Sequence, residues 1–225
     1  MKTSNRTEDF IPYKAQQYSK EEMIQRSKDY YEYFDQRRSL REFSDKEVPF
    51  EVIENIIKTA STAPSGAHKQ PWTFCIVKDQ EMKRKIREAA EEEEKINYSG
   101  RMGDEWLDDL KVFATNEVKE FLTVAPYLII VCKKSYDLEE DGGKAKNYYV
   151  NESVGLAAGF LLTAIHNAGL VALTHTPSPM GFLTKILDRP ENEKPFLLIP
   201  VGYPADDAHV PNLSRKSLED VMVVY

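Results

Sequence analysis

The stretch of residues 153–173 constrains this chain most, because it is mostly apolar and has to be kept away from water. It is about as long as a helix needs to be to cross a bilayer, roughly 20 residues. His166 and Asn167 interrupt it, and Gly169 favours the end of a helix. The Leu-Val-Ala-Leu that follows is typical of a strand. We therefore predict a helix buried on all sides in a protein core, followed by a strand, and no membrane span.

The charge of the chain limits its partners. Its 37 acidic and 30 basic residues give a formal net charge of −7. This balance disfavours a nucleic-acid binder, because such proteins present a basic face to phosphates. Residues 1–9 are polar and lack the apolar segment of a signal peptide. We therefore expect a cytoplasmic protein without a nucleic-acid partner.

The two cysteines, Cys75 and Cys132, lie in separate apolar runs that are typical of strands. Neither belongs to a Cys-x-x-Cys motif, and no histidine stands at the spacing of a metal ligand. We expect two reduced, buried thiols, with neither a disulfide nor a metal site.

The length fits one domain over residues 19–225, preceded by an N-terminal arm over residues 1–18. Helical periodicity follows Ser19 and Pro49. Further helices are predicted over residues 80–98, 104–124, 148–168 and 182–187, and strands over residues 73–77, 127–132, 170–174 and 196–201. The alternation of helices and strands is irregular, which favours an α+β fold over a regular βαβ ladder.

Residues 80–98 form a highly charged helical pattern with many ion pairs four residues apart and little apolar face. Such a helix is either solvated or part of a mobile segment. Gly100 and Gly103 follow and separate it from the next predicted helix. We predict a lid at about residues 91–116.

The loop of residues 63–72 joins a predicted helix to a predicted strand. Pro64 fixes its own φ, and Gly66 frees the backbone beside it. Ser65 and Ala67 are small enough for a flat ligand to approach the main chain. The loop is therefore a candidate platform for a planar cofactor, and the alternative is an ordinary turn.

Three arginines and a serine lie close together in Arg37-Arg38-Ser39-Leu40-Arg41. A guanidinium matches a phosphate with two parallel hydrogen bonds, and the hydroxyl adds another donor. The cluster could hold a phosphate monoester, and the alternative is a solvated basic turn. The sequence has no Gly-x-Gly-x-x-Gly or Walker motif, so a classical dinucleotide or P-loop site is not expected.

These two motifs together resemble the nitroreductase superfamily of FMN enzymes. The Arg-x-Ser-x-Arg of residues 37–41 is followed by Ala-Pro-Ser-Gly-Ala-x-x-x-Pro-Trp, which opens a strand. Within the superfamily, the chain is similar to the iodotyrosine deiodinase family, and residues 91–98, 200–204 and 210–216 share this similarity. The resemblance extends from roughly residue 20 to the end of the chain.

The resemblance implies a nitroreductase-like fold, with a central mixed sheet flanked by helices, in an intertwined homodimer that binds two FMN molecules at its interface. The matching FMN-binding positions are Arg37, Arg38, Ser39, Arg41, Pro64, Ser65, Gly66, Thr174, Thr176 and Arg215. Arg41 would lie beside the flavin N1 and O2 edge. Thr176 would hydrogen-bond flavin N5, a contact that accompanies one-electron steps in the family. The resemblance thus makes Thr176 and Arg41 the candidate catalytic residues. His175 stands between the two threonines, where vertebrate members have a third.

The resemblance also implies a substrate site made by Glu94, Tyr98 and Lys119, with the N–H of Ala67 at the phenolate. A free amino acid carries an ammonium and a carboxylate, so a site that selects it needs an anion, a cation and a hydroxyl together. Each residue also has an ordinary interpretation. Glu94 is one of four consecutive acids, Tyr98 could simply pack, and Lys119 could pair on a helix surface.

The sequence therefore predicts an FMN-dependent enzyme that reductively dehalogenates halogenated tyrosines, with NAD(P)H as the ultimate reductant. A separate reductase could deliver the electrons. One alternative is a general nitroreductase or quinone reductase that uses NAD(P)H. The other is a non-catalytic sensor that binds flavin or halotyrosine. No metal is expected in the active site.

Overall fold

The computed structural model describes residues 10–225 and divides them into two compact units, with the boundary between Arg37 and Arg38. Half of the predicted N-terminal arm, residues 1–9, lies outside the described residues. The main element of the first unit is helix α1, Lys20–Asp35. The helix begins directly after Ser19, as predicted, and Ser19 caps it: its hydroxyl accepts from the Glu22 N–H at 3.2 Å and the Glu22 carboxylate accepts from the Ser19 N–H at 2.8 Å.

The second unit contains a four-stranded sheet. Its strands are β1 (Trp72–Val77), β2 (Tyr127–Lys134), β5 (Val171–Ala172) and β6 (Glu193–Gly202). Their order is β1-β2-β6-β5, and every neighbouring pair is antiparallel. One parallel bridge, Ser39 to Ala172, adds to the β5 edge. A separate hairpin pairs β3 (Tyr136–Leu138) with β4 (Lys144–Lys146).

The second unit also contains seven α-helices. They are α2 (Phe50–Ala60), α3 (Gln80–Ile96), α4 (Asp104–Lys111), α5 (Phe121–Val124), α6 (Val150–Asn167), α7 (Gly181–Ile186) and α8 (Leu218–Val221). The predicted α+β class is confirmed.

Both faces of the sheet are covered, and β2 shows this most clearly. Its first six residues are all buried. Side chains alternate between the two faces of a strand. Ile129 and Val131 therefore pack with α2 and α6 in one core, whereas Leu128 and Ile130 pack with α3, α5 and α7 in the other. This burial on both sides explains why the strand reads as a continuous apolar run.

Helix α6 differs from the prediction of a helix buried on all sides. One face, with Val154, Ala157 and Leu161, is fully or almost fully buried. The opposite face is exposed, with Leu156 and Phe160 at 48% and 38% exposure. The prediction of a helix buried on all sides was therefore wrong for the single chain. An apolar composition does not show which faces of a helix are covered by other parts of the protein. Among residues 10–225, no helix is long and apolar enough to cross a membrane.

The two helices predicted on either side of Gly100 and Gly103 also differ from the prediction. Helix α3 does bury one face, through Lys83, Ile86, Ala90 and Glu94. The predicted helix over residues 104–124 is interrupted, since α4 ends at Lys111 and Ala114 adopts a positive φ of 47°. A non-glycine residue in that region cannot continue a right-handed helix.

Candidate functional site

The loop of residues 63–72 has an unusual backbone. Ala67, His68 and Gln70 adopt φ values of 49°, 55° and 47°, a region that side chains with a Cβ seldom occupy. The loop is held locally, because the Gln70 N–H donates to the Ser65 hydroxyl at 2.9 Å. Strained backbone of this kind is common at ligand-binding sites.

Gly66 shows where the loop packs. Its N–H donates to the Ser153 hydroxyl at 3.2 Å. A Cβ at Gly66 would lie 2.9 Å from the carbonyl oxygen of Tyr148 and 2.9 Å from the Tyr149 ring. The glycine is therefore required for close approach to the start of α6, whereas its own φ is not in the left-handed region, so the backbone freedom that the sequence suggested is not used at this residue.

A cavity of about 400 Å³ lies on the α3 side of the sheet. Its wall combines the predicted lid with the segment that follows β5, and it is lined by Arg41, Glu94, Asn97, Tyr98, Arg101, Met102, Trp106, Leu110, Thr115, Lys119, Phe121, Leu173, Thr174, His175, Thr176, Ser178 and Pro179. The size is within the usual range of small-molecule sites.

Glu94, Tyr98 and Lys119 meet at this wall, and we call them the clamp. The Lys119 Nζ lies 3.6 Å from a Glu94 carboxylate oxygen, and the two side chains are only 4% and 10% exposed. The ammonium also lies 5.6 Å from the centre of the Tyr98 ring. The ring is oriented by its hydroxyl, which donates to the Thr115 carbonyl at 3.2 Å. One helical turn separates Glu94 from Tyr98, which places both on the same face.

The two charges of the clamp are both disfavoured by burial. Burial raises the pKa of Glu94, an effect that the nearby Lys119 opposes. Burial likewise lowers the pKa of Lys119, against the influence of Glu94. A ligand that brings a positive and a negative group would stabilise the ionised forms of both. The Lys119 backbone is fixed separately, since its N–H donates to the Glu91 carboxylate at 2.7 Å.

The segment after β5 contributes the other side of the cavity. Thr174 and Thr176 are exposed and His175 is buried, as expected for extended backbone with alternating side chains. His175 pairs with Leu198 through both backbone groups, at 2.9 and 3.0 Å, and its ring packs edge-on against Phe121. The two threonine hydroxyls therefore remain available to a ligand.

His175 is held as a neutral imidazole. Burial, together with the positive charges of Lys119 and Arg41, lowers its pKa to about 3. Its Nε2 makes no hydrogen bond within residues 10–225. The half-buried Arg41 lies 5.3 Å from the Phe113 ring centre, and burial lowers the pKa of its guanidinium.

The structure thus brings six predicted site residues into one cavity: Arg41, Glu94, Tyr98, Lys119, Thr174 and Thr176. The lining found within residues 38–225 does not include the other predicted positions of that unit, Arg38, Ser39, Pro64, Ser65, Gly66, Ala67 and Arg215. Arg37 belongs to the first unit. The roles of these eight residues stay predictions.

Sequence reasoning missed a polar group at the mouth of the cavity. Arg101 donates to Glu93 at 2.6 Å, to the Asn97 side chain at 3.1 Å and to the Ser178 carbonyl at 3.2 Å. Asn97 also donates to that carbonyl, at 3.0 Å. The group connects the predicted lid to the segment after β5. The helical spacing of Glu94, Asn97 and Arg101 could have revealed their common face.

Residues 34–203 match the model of the nitroreductase family. An iodotyrosine deiodinase from Haliscomenobacter hydrossis is 64% identical over 216 residues, which cover 96% of this chain and 97% of the relative. An iodotyrosine deiodinase from Hydra vulgaris is 54% identical over 219 residues, covering 97% of this chain and 80% of the relative.

A solved structure supports the same similarity. The crystal structure of an oxidized iodotyrosine deiodinase bound to FMN and 3-iodo-L-tyrosine matches with a TM-score of 0.74 and 34% identity. The match covers 87% of this chain and 97% of that chain. The predicted nitroreductase-like fold is confirmed, but the predicted mixed sheet is not: all neighbouring strands within residues 38–225 are antiparallel, and parallel pairing is limited to the bridge of Ser39 to Ala172.

Proposed function

Because the chain belongs to the nitroreductase family, we propose that it is an FMN-dependent oxidoreductase that dehalogenates mono- and diiodotyrosine reductively. Each turnover replaces a carbon–halogen bond with a carbon–hydrogen bond, consumes two electrons and a proton, and releases halide. The relatives named iodotyrosine deiodinase, and the one that binds FMN and 3-iodo-L-tyrosine, support this assignment.

The observation that carries the proposal is the buried pair of Glu94 and Lys119 at the cavity wall, 3.6 Å apart. Glu94 would bind the ammonium of the amino acid, Lys119 its carboxylate, and the Tyr98 hydroxyl would add a hydrogen bond. Opposite charges that are shielded from water interact strongly with a complementary ligand. A phenol without the amino-acid group would lose both interactions.

The opposite side of the cavity suits FMN. Arg41 offers a half-buried cation, and Thr174 and Thr176 offer exposed hydroxyls. When bound, FMN supplies the electrons for the reaction. Arg41 would stabilise the negative charge that reduction places on the flavin, and Thr176 would hydrogen-bond flavin N5. Arg38, Ser39 and Arg215 would hold the phosphate and ribityl chain.

The site is completed, we propose, by a second copy of this chain. Within residues 38–225, the cavity lining lacks the loop of residues 63–72. The loop instead packs at the start of α6, whose outer face exposes Leu156 and Phe160. An apolar face of this kind is typical of a homodimer interface. Pairing across α6 would bring the loop of one chain to the cavity of the other.

Complementation between chains tests this arrangement. Glu94→Gln damages the clamp, and Ala67→Pro removes an N–H at a position whose φ of 49° proline cannot adopt. When the two inactive variants are unfolded, mixed and refolded together, about half of the dimers contain one chain of each kind. Each mixed dimer would then have one intact site, and about a quarter of wild-type activity should return. Mass spectrometry shows whether mixed dimers have formed. If they have formed and no activity returns, the loop and the clamp of each site belong to the same chain.

The function itself is tested with the FMN-loaded protein. The flavin is reduced anaerobically with dithionite, the excess is removed, and 3-iodotyrosine is added. We expect the flavin to reoxidise with release of one iodide and one tyrosine per two electrons. The matched control is 3-(4-hydroxy-3-iodophenyl)propionate, which lacks only the ammonium and should react at least tenfold more slowly, as expected for a lost charged hydrogen bond.

Other outcomes would identify the rival functions. Reoxidation by nitroaromatics or quinones, but not by 3-iodotyrosine, would indicate a general nitroreductase. A spectral change on ligand binding without iodide release would indicate a sensor. A colourless protein that does not retain FMN would contradict both enzyme functions.

We further propose NAD(P)H as the ultimate reductant, delivered through a separate reductase. The sequence lacks the Gly-x-Gly-x-x-Gly motif of a classical dinucleotide site, which supports delivery by another protein. Direct oxidation of NADH or NADPH by the purified protein, at the rate of deiodination, would remove the need for that partner.

A further inference from the structure

A second group of reactive side chains lies outside the cavity wall. Cys75 on β1, Cys132 on β2 and Glu193 at the start of β6 each place one ligand atom, a sulfur or a carboxylate oxygen, within 4.8 Å of the other two. Cys75 and Cys132 are the only two cysteines of the chain. Cys132 and Glu193 are buried and Cys75 is partly exposed, which leaves an approach from solvent.

The carboxylate of the group is firmly oriented. One oxygen of Glu193 accepts from the Thr73 hydroxyl at 2.8 Å, and the other accepts from the Arg189 Nε at 2.8 Å. The ammonium of Lys134 lies 3.8 Å from the first oxygen. Such contacts orient the ligands of metal sites and hold them in place.

The register of the strands argues against a disulfide between the two thiols. Thr73, and not Cys75, is directly opposite Cys132. Cys75 and Cys132 are therefore diagonal neighbours, whose Cα atoms lie roughly 7–8 Å apart in a regular antiparallel pair. A disulfide requires Cα atoms closer than about 7 Å. The two sulfurs are near each other but are poorly placed to form a bond.

We propose that Cys75, Cys132 and Glu193 form a binding site for one thiophilic divalent cation of the zinc type. Thiolates and a carboxylate are ordinary zinc ligands, and zinc–sulfur bonds of about 2.3 Å at tetrahedral angles separate two sulfurs by about 3.8 Å. That separation fits within the 4.8 Å that contains the three ligand atoms. A water molecule would take the fourth position.

The charges around the site fit such a cation. Two thiolates and one carboxylate carry three negative charges, so a divalent cation leaves one, which Arg189 and Lys134 both face. The protons of both thiols would leave as the cation binds.

The site would join three strands. Strand β1 forms an edge of the sheet and directly follows the loop of residues 63–72. A cation bound to β1, β2 and β6 would hold that edge and the end of the loop in place. The inference does not depend on the proposed deiodination, because no residue of the site lines the cavity described in residues 38–225.

The test uses the full-length, FMN-loaded protein after treatment with a chelator and a phosphine reductant. Cd²⁺ is the probe, because its thiolate complexes absorb in the near ultraviolet. We expect one Cd²⁺ per chain with a thiolate-to-cadmium band, displacement by Zn²⁺, and protection of both cysteines from alkylation. Cys75→Ser should remove the band and weaken binding at least a hundredfold.

Two control variants keep the result interpretable. His209→Gln changes an exposed potential ligand and should leave Cd²⁺ binding unchanged. Glu193→Gln should weaken binding about tenfold while the band remains, because both sulfurs are still present. Retained FMN and an unchanged circular dichroism spectrum show that each variant is folded. Absence of the band in the wild type, or equal Cd²⁺ affinity in Cys75→Ser, would overturn the proposal.

Discussion

The clamp and the loop of residues 63–72 represent two different ways of building a binding site. The clamp consists of long side chains whose charges are buried together, with Glu94 and Lys119 at 10% and 4% exposure. The loop is mostly small residues, and it offers backbone at positive φ. The clamp lines a cavity of its own chain, whereas the loop does not contribute to that lining.

The difference indicates which part of the site one chain can form by itself. Burying two opposite charges without a good partner is unfavourable, so the pair is assembled within one fold and fixed by neighbouring hydrogen bonds. Exposed backbone carries a smaller penalty while it waits for a ligand. The loop can therefore be supplied by a second surface. The predictions that follow test each side of this comparison.

The largest effect is expected for Glu94→Gln. The change removes the anion that would bind the substrate ammonium, and it leaves the buried Lys119 without its counter-ion. We expect a loss of about 3 kcal/mol in the free energy of substrate binding. We expect 3-iodotyrosine to bind roughly a hundredfold more weakly to the FMN-loaded protein, measured by quenching of flavin fluorescence.

The matched control for this change is Glu92→Gln, in the same run of acids but exposed. Its halotyrosine affinity should equal that of the wild type, and both variants should retain FMN. Equal affinity of Glu94→Gln and wild type would show that the clamp does not bind the amino-acid group.

Local sequence pattern predicted much of the fold and the chemical types of the site, but not what covers each surface. The helix that begins after Ser19 and the strand of residues 127–132 were read correctly, because both depend on neighbouring residues. The buried face of α3 was missed, since Lys83 and Glu94 look solvated in sequence. Lys83 is buried because its ammonium donates to the carbonyls of Thr123 and Ala125, at 3.3 and 2.9 Å.

Long-range proximity was the other limit. No local spacing shows that Cys75, Cys132 and Glu193 converge, because only the pairing of β1, β2 and β6 brings them together. The exposed side of α6 was missed for a related reason. Periodicity shows which residues share a face, and a continuous apolar pattern gives no information on which face lacks a neighbour.

The second prediction concerns the pH dependence of the free energy of unfolding. We expect His175, at the cavity wall, to cause much of it. His175 has its pKa lowered from 6.5 to about 3 in the folded chain. Between these values the unfolded chain binds a proton that the folded chain does not, so stability falls as the pH falls below about 6.5. From about pH 7 to about pH 5, this single group should remove about 2 kcal/mol of unfolding free energy.

His175→Thr should abolish that loss, whereas His68→Thr, in the exposed loop, should leave it intact. The measurement is denaturant unfolding of each variant at both pH values. Burial raises the pKa of Glu94, so that group gives the opposite slope, and it is present in all three proteins. Parallel pH profiles for the wild type and His175→Thr would show that the imidazole does not control acid stability.

The third prediction tests the loop directly. Gly66→Ala would place a Cβ 2.9 Å from the Tyr148 carbonyl oxygen and the Tyr149 ring, so the loop has to shift away from α6. Overpacking of this kind costs about 1–3 kcal/mol. We expect FMN to bind about tenfold more weakly, measured by equilibrium dialysis.

The control for this change is Gly181→Ala, where a Cβ meets nothing within 4 Å; this variant should bind FMN normally. If Gly66→Ala also bound FMN normally, the loop would not belong to the cofactor site.

The smallest effect is expected for Thr176, and it decides whether the cavity wall influences the reaction as well as binding. Thr176→Ala removes one exposed hydroxyl, and a single hydrogen bond contributes about 1 kcal/mol. Deiodination should therefore slow about fivefold at saturating 3-iodotyrosine, while reduction of a nitroaromatic remains within about twofold of the wild type. Thr176→Ser keeps the hydroxyl and should restore deiodination. Equal losses in both reactions, or no rescue by serine, would mean that Thr176 only shapes the cavity. Control of the electron transfer would then have to come from another group, such as Arg41 or the loop of residues 63–72.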